Sequence, residues 1–193
     1  MSEVKTNKIT AATGTAITLG DSGDTFTVPA GATIANSGTA TGFGKVLQVV
    51  SSMLTGAAST SSTTLVTTGL EGTITPSATS SKILISISFA MAAAGGDAAP
   101  WIQLYKGSSV ISGSLADVQG SRRQSSVGMA YNAAQSTAFN YLDSPSTTSA
   151  TTYKLMYACL NGSQTLYMNL MSTGNSASYF TSPATMILTE IEG

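Results

Sequence analysis

The stretch Ile83-Leu-Ile-Ser-Ile-Ser-Phe-Ala-Met91 decides which fold this chain can be expected to adopt. Large apolar side chains stand at every odd position, and mostly small or polar residues stand between them. A period of two is the pattern of a strand that buries one face and leaves the other more polar. The stretch is therefore predicted to be a half-buried strand whose odd-numbered residues belong to the core.

Shorter runs with strand character lie on both sides of this stretch. They predict strands at residues 45–50, 63–67, 101–105, 110–112, 153–159, 165–170 and 185–191. Gly107-Ser108-Ser109 predicts a hairpin turn, and Asn161-Gly162 predicts a second hairpin, which would pair 153–159 with 165–170. Residues 120–138 are too polar and irregular to assign. About eight short strands without helical periodicity predict an all-β fold, an antiparallel β-sandwich or jelly roll.

The first 42 residues differ from the rest and are expected to form a separate β-stem, with the sandwich as a knob domain over 43–193. Two very short strands are predicted around the turn at Asp21–Asp24, with Ile17 and Leu19 in one and Phe26 and Val28 in the other. Such short strands are marginal within one chain, so stacking with copies from other chains, intertwined in a trimer, would stabilise them. The alternative is an N-terminal arm without fixed structure.

The composition argues against nucleic-acid and membrane partners. Charged residues make up 9% of the chain, against a usual share of about 25%, while Ser and Thr occur 29 times each. Eight Lys and Arg give a net charge of −1, and only Arg122-Arg123 are clustered, so DNA or RNA binding is not expected. The longest apolar run, Ile83–Ala94, is too short to span a bilayer. The start has no apolar signal segment, so synthesis in a cytoplasm is expected.

Catalysis and metal binding are also not expected. The absence of His removes Ser-His-Asp and Cys-His arrangements and the commonest metal ligand. The nine acidic residues are scattered, which disfavours a carboxylate pair for sugar cleavage. Asp21-Ser-Gly-Asp24 offers oxygen ligands for Ca²⁺, but a turn capped by Asp side chains is favoured. Asp143-Ser-Pro145 is predicted to be a turn in which Asp143 accepts backbone hydrogen bonds. The single Cys159 forms no intrachain disulfide and is predicted to be a core residue. No cofactor is expected.

The order of several turn and strand segments resembles that of a known family. The segments are Gly44–Val50, Thr68–Leu70, Ile74–Ser77, Ser80–Leu84, Tyr141–Pro145, Thr147–Lys154 and Met186–Ile191, preceded by Lys8–Thr10, Leu19–Asp24 and Val28–Ile34. Together they are similar to tail-fibre-like virion structural proteins of marine bacteriophages. The resemblance implies a homotrimeric fibre on the exterior of a virion, with a short N-terminal stem and a C-terminal knob. It leaves open whether the fibre sits on the tail or on the capsid.

Two functions from different classes are consistent with these observations. In the first, the knob adsorbs to a glycan or protein of the host cell surface through loops 95–101, 117–126 and 172–180. The candidate receptor-binding residues are Trp101, Arg122, Arg123 and Tyr179, because aromatic rings and Arg forks recognise sugars and anions. The stem would dock on other virion proteins through Ile9, Ile17, Leu19, Phe26 and Val28. In the second, the chain is a head fibre, capsid decoration or cement protein with a structural role alone. A soluble monomeric cellular β-sandwich is a weaker third possibility.

Overall fold

The computed structural model of this protein describes residues 11, 14, 21–25, 27–33, 45–94, 99–128, 134–170 and 181–193. The chain divides into two compact units, Met1–Phe43 and Gly44–Gly193. Ile9, Ile17, Leu19, Phe26 and Tyr179, which the sequence singled out, lie outside the described residues.

The smaller unit contains the turn predicted at Asp21–Asp24. The backbone N–H of Asp24 donates to the carbonyl of Asp21 at 3.0 Å, and the N–H of Asp21 donates to Oδ2 of Asp24 at 2.7 Å. Gly23 has a φ of +99°, a conformation that favours glycine. The turn prediction is confirmed. The strand predicted after it is wrong for the residues described there, because Thr25 and 27–29 are not in a strand.

In the described part of the chain the larger unit is built from strands. They are β1 (Val46–Leu54), β2 (Ala58–Thr60), β3 (Val66–Ile74), β4 (Lys82–Ala94), β5 (Pro100–Lys106), β6 (Ser109–Val110), β7 (Gln135–Asp143), β8 (Thr151–Cys159), β9 (Thr165–Met168) and β10 (Ala184–Ile191). A single 3₁₀ turn, Ser112–Ser114, is the only helical element among these residues. The all-β prediction is confirmed.

The strands form two antiparallel sheets. Sheet A has six strands in the order β1-β10-β4-β9-β2, with β7 on the other edge of β4. The long strand β4 pairs with β10 up to Ser88 and then with β9 from Met91 onward. Sheet B has the order β3-β8-β5-β6. One of the sheets curls into a half-barrel, and a sandwich fits the arrangement.

The core lies between the inner faces of the two sheets. Ile83, Ile85, Ile87, Phe89 and Met91 of β4 are 0–3% exposed, so the predicted alternation of β4 is confirmed. From sheet B, the inward-facing residues are Leu70, Ile74, Ile102, Leu104, Tyr153, Leu155, Tyr157 and Cys159. Full burial of one large aliphatic side chain is worth about 1.5 to 3 kcal/mol, so this shared interior stabilises both sheets together. Cys159 is fully buried, as predicted.

The hairpin predicted at Asn161-Gly162 is wrong. Strands β8 and β9 both form, but β8 belongs to sheet B and β9 pairs with β2 and β4 in sheet A. Residues 161–164 form a turn in which Gln164 N–H donates to the carbonyl of Asn161 at 3.0 Å and Ser163 N–H donates to Asn161 Oδ1 at 3.1 Å. This side-chain-capped turn carries the chain from one sheet to the other.

Other boundaries also differ from the sequence prediction. The strand predicted at 110–112 is shortened to β6 (Ser109–Val110), because Ser112 already belongs to the 3₁₀ turn. The strand expected at 63–67 begins only at Val66 and continues to Ile74, and β2 was not predicted. Strand β7 starts inside the unassigned segment and continues to Asp143, which was predicted to lie in a turn. Asp143 is the last residue of that strand, and its carboxylate accepts from side chains rather than from a backbone turn. The lateral pairing of β7 with β4 across all nine of its residues stabilises the strand.

Candidate functional site

The outer face of sheet B carries one candidate binding surface. Along β5, Ile102 and Leu104 point into the core, so Trp101, Gln103 and Tyr105 point away from it. Trp101 and Tyr105 are half-buried, whereas Gln103 is almost fully covered. Strand β5 therefore presents two aromatic side chains on a surface that is otherwise polar.

The segment 111–128 folds back and covers the free edge of β5. Strand β6 pairs only with Tyr105 and Lys106 of β5. Further along β5, the hydroxyl-bearing residues Ser125 and Ser126 form the hydrogen bonds at this edge. Ser125 Oγ lies 2.7 Å from the carbonyl of Ile102 and 3.1 Å from its N–H, and Leu104 N–H donates to Ser126 Oγ at 2.9 Å. The N–H of Ser126 donates to the same Ile102 carbonyl at 2.8 Å. These bonds satisfy edge groups that would otherwise be open to pairing.

The loop is also fixed from the face of the sheet. The indole N–H of Trp101 and the amide Nε2 of Gln103 both donate to the carbonyl of Gln124, at 2.8 and 2.9 Å. The guanidinium carbon of Arg123 lies 4.6 Å from the centroid of the Trp101 ring. A cation over an indole face at this distance is attracted by the negative face of the ring. The structure thus brings together Trp101 and Arg123, which sequence reasoning had proposed as separate candidates.

Arg122 stands beside this pair at the tip of the loop. Its backbone N–H donates to the carbonyl of Gln119 at 3.2 Å and closes a tight turn in which Gly120 has a φ of +62°. Both Arg122 and Arg123 are exposed. Within the part of the chain that the structure describes, the ion pair shown is Lys106–Asp143, and neither arginine has a carboxylate partner. Two consecutive exposed arginines, neither with a carboxylate partner among the described residues, therefore lie at the tip of a fixed loop.

Sequence reasoning missed Gln103. It included Gln124, Ser125 and Ser126 in the candidate loop 117–126 but did not identify them as the residues that position this surface. The period of two in Trp101-Ile-Gln-Leu-Tyr105 could have placed Gln103 on the face of Trp101. The hydrogen bonds to residues 124–126 span more than twenty positions and have no local signal. The other proposed loops, 95–98 and 172–180, lie outside the described residues. Val28 is half-buried in the smaller unit and is not in a strand.

The outer face of sheet A is a second candidate surface, and it differs in character. Val49, Met53, Leu142 and Ile187 point outward and are 39–59% exposed. The residues between them are mostly small or carry hydroxyl groups: Ser51, Ser86, Ser88, Ala138, Asn140, Thr185 and Thr189. A shallow pocket of about 150 Å³ lies between Ser86, Asn140 and Ile187. Among the outward residues of β1, β4, β7 and β10, Lys82 at one end is the only charged side chain.

A buried carboxylate, Glu190, lies on the inner side of sheet A. It is fully buried, and its two oxygens accept from Gln48 Nε2 at 2.6 Å, Ser77 N–H at 2.6 Å and Ser77 Oγ at 2.8 Å. Burial raises the pKa of Glu190, but hydrogen bonds from Gln48 and Ser77 outweigh this effect and hold the pKa at about 2. The ionised side chain fixes the 75–81 loop against β1 and β10.

A second buried carboxylate, Asp143, joins the two sheets. It accepts from Lys106 Nζ at 2.9 Å and from the hydroxyl of Tyr153 at 2.7 Å. Burial raises the pKa of Tyr153, and the hydrogen bond to Asp143 and its negative charge raise it further. Asp143 and Glu190 are both enclosed and both engaged in hydrogen bonds, so their observed contacts are structural.

No protein-family model and no curated protein matches this chain. None of the described residues forms a helix long and apolar enough to cross a membrane. The described residues also contain no group of three or more acidic, His or Cys side chains that could hold a metal ion.

Proposed function

We propose that this chain is a structural fibre protein of a bacteriophage particle, assembled as a homotrimer and mediating adsorption to the host cell. In this proposal residues 1–42 form the stem that docks on other virion proteins, and 43–193 form a jelly-roll-like knob. The order of the turn and strand segments supports the phage family by resemblance. The observation that carries the assembly is the outer face of sheet A, on which Lys82 is the only charged side chain among the outward residues of β1, β4, β7 and β10.

This face has the properties of a surface that packs against protein. Contiguous exposed apolar residues on a soluble protein mark interaction sites. Ile187 on β10 pairs with Ser51, which lies between Val49 and Met53 on the neighbouring strand β1, and Leu142 lies further across the same face, on β7 beyond β4. Packing charged surfaces together costs the desolvation of every ion that is left unpaired. On this face only Lys82 would have to stay in contact with solvent at the edge of the interface. Copies of the chain can therefore pack together at a small cost in charge desolvation.

The edge of sheet A beside this face supports the same proposal. From Thr137 to Asp143, β7 pairs with β4 alone among the described residues. An uncovered strand of this length is open to pairing with another chain, and proteins usually cover or charge such edges. The segment Thr137–Leu142 carries no charge, so we propose that a neighbouring subunit covers this edge of β7. Three subunits on one shaft would also multiply weak adsorption sites.

Light scattering coupled to size exclusion tests the assembly. We expect the wild-type protein to have a mass near three times 19.5 kDa and Ile187→Lys to be monomeric with an unchanged circular dichroism spectrum. Val118→Lys is the matched control, because Val118 is more exposed than Ile187 but lies in a loop away from sheet A. It should remain trimeric.

A monomeric wild-type protein would contradict the homotrimer. The alternative would then be a head fibre, capsid decoration or cement protein whose apolar face packs on another virion protein. In that case the isolated chain should bind purified particles that lack it, and Ile187→Lys should abolish that binding.

A further inference from the structure

We propose that Arg122 and Arg123, with Trp101 beneath Arg123, form a binding site for an acidic glycan whose carboxylate or phosphate groups bind to the two guanidinium groups. The inference rests on the adsorption role proposed above and names the class of ligand that the knob recognises.

The site is built in advance of any ligand. Trp101 and Gln103 hold the carbonyl of Gln124 from below, and Ser125 and Ser126 bind the edge of β5. Gln124 Nε2 donates to the carbonyl of Ala116 at 2.8 Å and ties the outgoing and returning halves of the loop together. Because these bonds fix the residues that follow Arg123, little additional ordering is needed when a ligand binds.

The loop carries two arginines and one carboxylate, Asp117, which forms an ion pair with neither arginine among the described residues. Arg122 and Arg123 are sequence neighbours, and in the described structure neither meets a carboxylate. Adjacent like charges repel each other, and an anion between them removes that repulsion. The Arg123 guanidinium lies over the Trp101 ring, 4.6 Å from its centroid, and has no carboxylate partner among the described residues. Its N–H groups can therefore make bidentate contacts with a carboxylate or a phosphate.

The surroundings favour a sugar polymer over other polyanions. Eight cationic residues and a net charge of −1 give no extended basic surface of the kind that nucleic acids require. Next to the arginines lie exposed Gln119 and Ser121 in the tip turn, which can bond to sugar hydroxyls. Half-buried Tyr105 lies on the same face of β5 as Trp101, and amphipathic rings of this kind are common where a surface binds a partly polar ligand.

Isothermal titration of the full chain with defined polymers tests the site. The probes are polygalacturonate for carboxylate, phosphorylated dextran for phosphate and unmodified dextran as the neutral control, at about 0.15 M salt to screen general attraction. We expect binding of at least one acidic polymer and none of neutral dextran. Comparing the two acidic polymers identifies the accepting group.

Substitutions then distinguish bidentate hydrogen bonding by a guanidinium group from attraction to a positive charge alone. Arg123→Ala and Arg122→Ala should each weaken binding about tenfold or more, and Arg123→Lys should weaken it similarly, because an ammonium group keeps the charge but loses the bidentate geometry. Lys82→Ala, which removes an exposed cation on sheet A, should leave the affinity unchanged.

Three results would overturn the inference: no binding of either acidic polymer, equal binding of neutral dextran, or an equal loss for Lys82→Ala and Arg123→Ala. The mass of each sample is measured in parallel. A trimer that binds no acidic polymer would contradict the glycan site alone. A monomer that binds one through Arg123 would contradict the trimer alone.

Discussion

Glu190 and Asp143 are the same kind of group in the same row of one sheet, but the protein stabilises them by different means. Both pair in register with Ile83, Glu190 on the β10 side and Asp143 on the β7 side. Both carboxylates point toward the interior, where an ion without partners is strongly disfavoured. Glu190 is bound by neutral donors from Gln48 and Ser77, whereas Asp143 is bound by an ammonium group and a phenol.

The difference shows how a chain with few charges can still bury ions. Glu190 has no cationic partner among the described residues, so three polar donors on a loop and a strand replace the solvent around it. The Lys106 side chain, by contrast, is 36% exposed, which leaves the Asp143 pair partly screened by water. We therefore expect the loss of the Glu190 charge to lower the stability of the protein more than the loss of a hydrogen bond to Asp143. A buried carboxylate without any donors should lower the stability most.

The largest effect is expected when a carboxylate enters the same interior without donors. Ile85 lies two residues along β4 from Ile83, points to the same side and is fully buried. Ile85→Asp would bury an unpaired ion or force its protonation, at a cost of several kcal/mol. We expect loss of the cooperative thermal transition in circular dichroism.

Ser86→Asp is the matched control, because Ser86 is the next residue on β4 and points to the outer face. Because Ser86 pairs with Ile187 on the face proposed to pack against a neighbouring subunit, both variants are compared in the Ile187→Lys background. There, Ser86→Asp should melt within a few degrees of Ile187→Lys alone. Similar melting of Ile85→Asp and wild type would contradict the assignment of the two faces of β4.

A smaller but still large effect is expected for Glu190→Gln. The substitution removes the charge and turns an amide N–H₂ toward existing donors, which should lower the free energy of unfolding at neutral pH by about 2 to 3 kcal/mol. The pKa of Glu190 is lowered from 4.5 to about 2 on folding. Its stabilisation is therefore complete above pH 4.5 and is lost as the pH falls toward 2. Urea unfolding across this range should show a shallower pH dependence for the variant than for the wild type.

Glu192→Gln provides the comparison, since Glu192 is exposed two residues further along the chain. Its unfolding curve should parallel that of the wild type at every pH. If Glu190→Gln and Glu192→Gln behaved alike, the hydrogen bonds to Gln48 and Ser77 would not stabilise the ionised form.

The sequence was informative where a signal is local. The alternation in 83–91 predicted both a strand and its buried face, because side-chain direction in a strand follows directly from position. Extending the same alternation through Met186, Leu188 and Glu190 of β10 would have indicated that Glu190 faces inward. The buried carboxylate was therefore predictable as an anomaly, although its donors were not.

The sequence was uninformative where the partners are distant. Asn161-Gly162 predicts a tight turn but not which sheet receives the next strand, which depends on the packing of the whole interior. Asp143 meets Lys106, which lies 37 residues away, and Trp101 lies 22 positions from the Arg123 guanidinium that covers it. Residue types suggested Trp101 and Arg123 as candidates, but only the sheet arrangement brings the members of each pair together.

The smallest of the three effects is expected for Tyr153→Phe, which tests the Asp143 side of the comparison. Loss of the 2.7 Å bond to Asp143 should cost about 1 kcal/mol at neutral pH, because Lys106 still binds the carboxylate.

Burial, followed by the hydrogen bond and charge of Asp143, raises the pKa of Tyr153 above its usual 10.0. The folded protein thus keeps a proton that the unfolded chain releases above pH 10, so stability falls as the pH rises further. Urea unfolding between about pH 9 and 11 should show a shallower decline for Tyr153→Phe. The buried Tyr157, whose pKa is raised by burial, remains in both proteins and contributes equally. Parallel declines would mean that the phenol of Tyr153 does not stabilise Asp143, and that Lys106 alone balances this carboxylate.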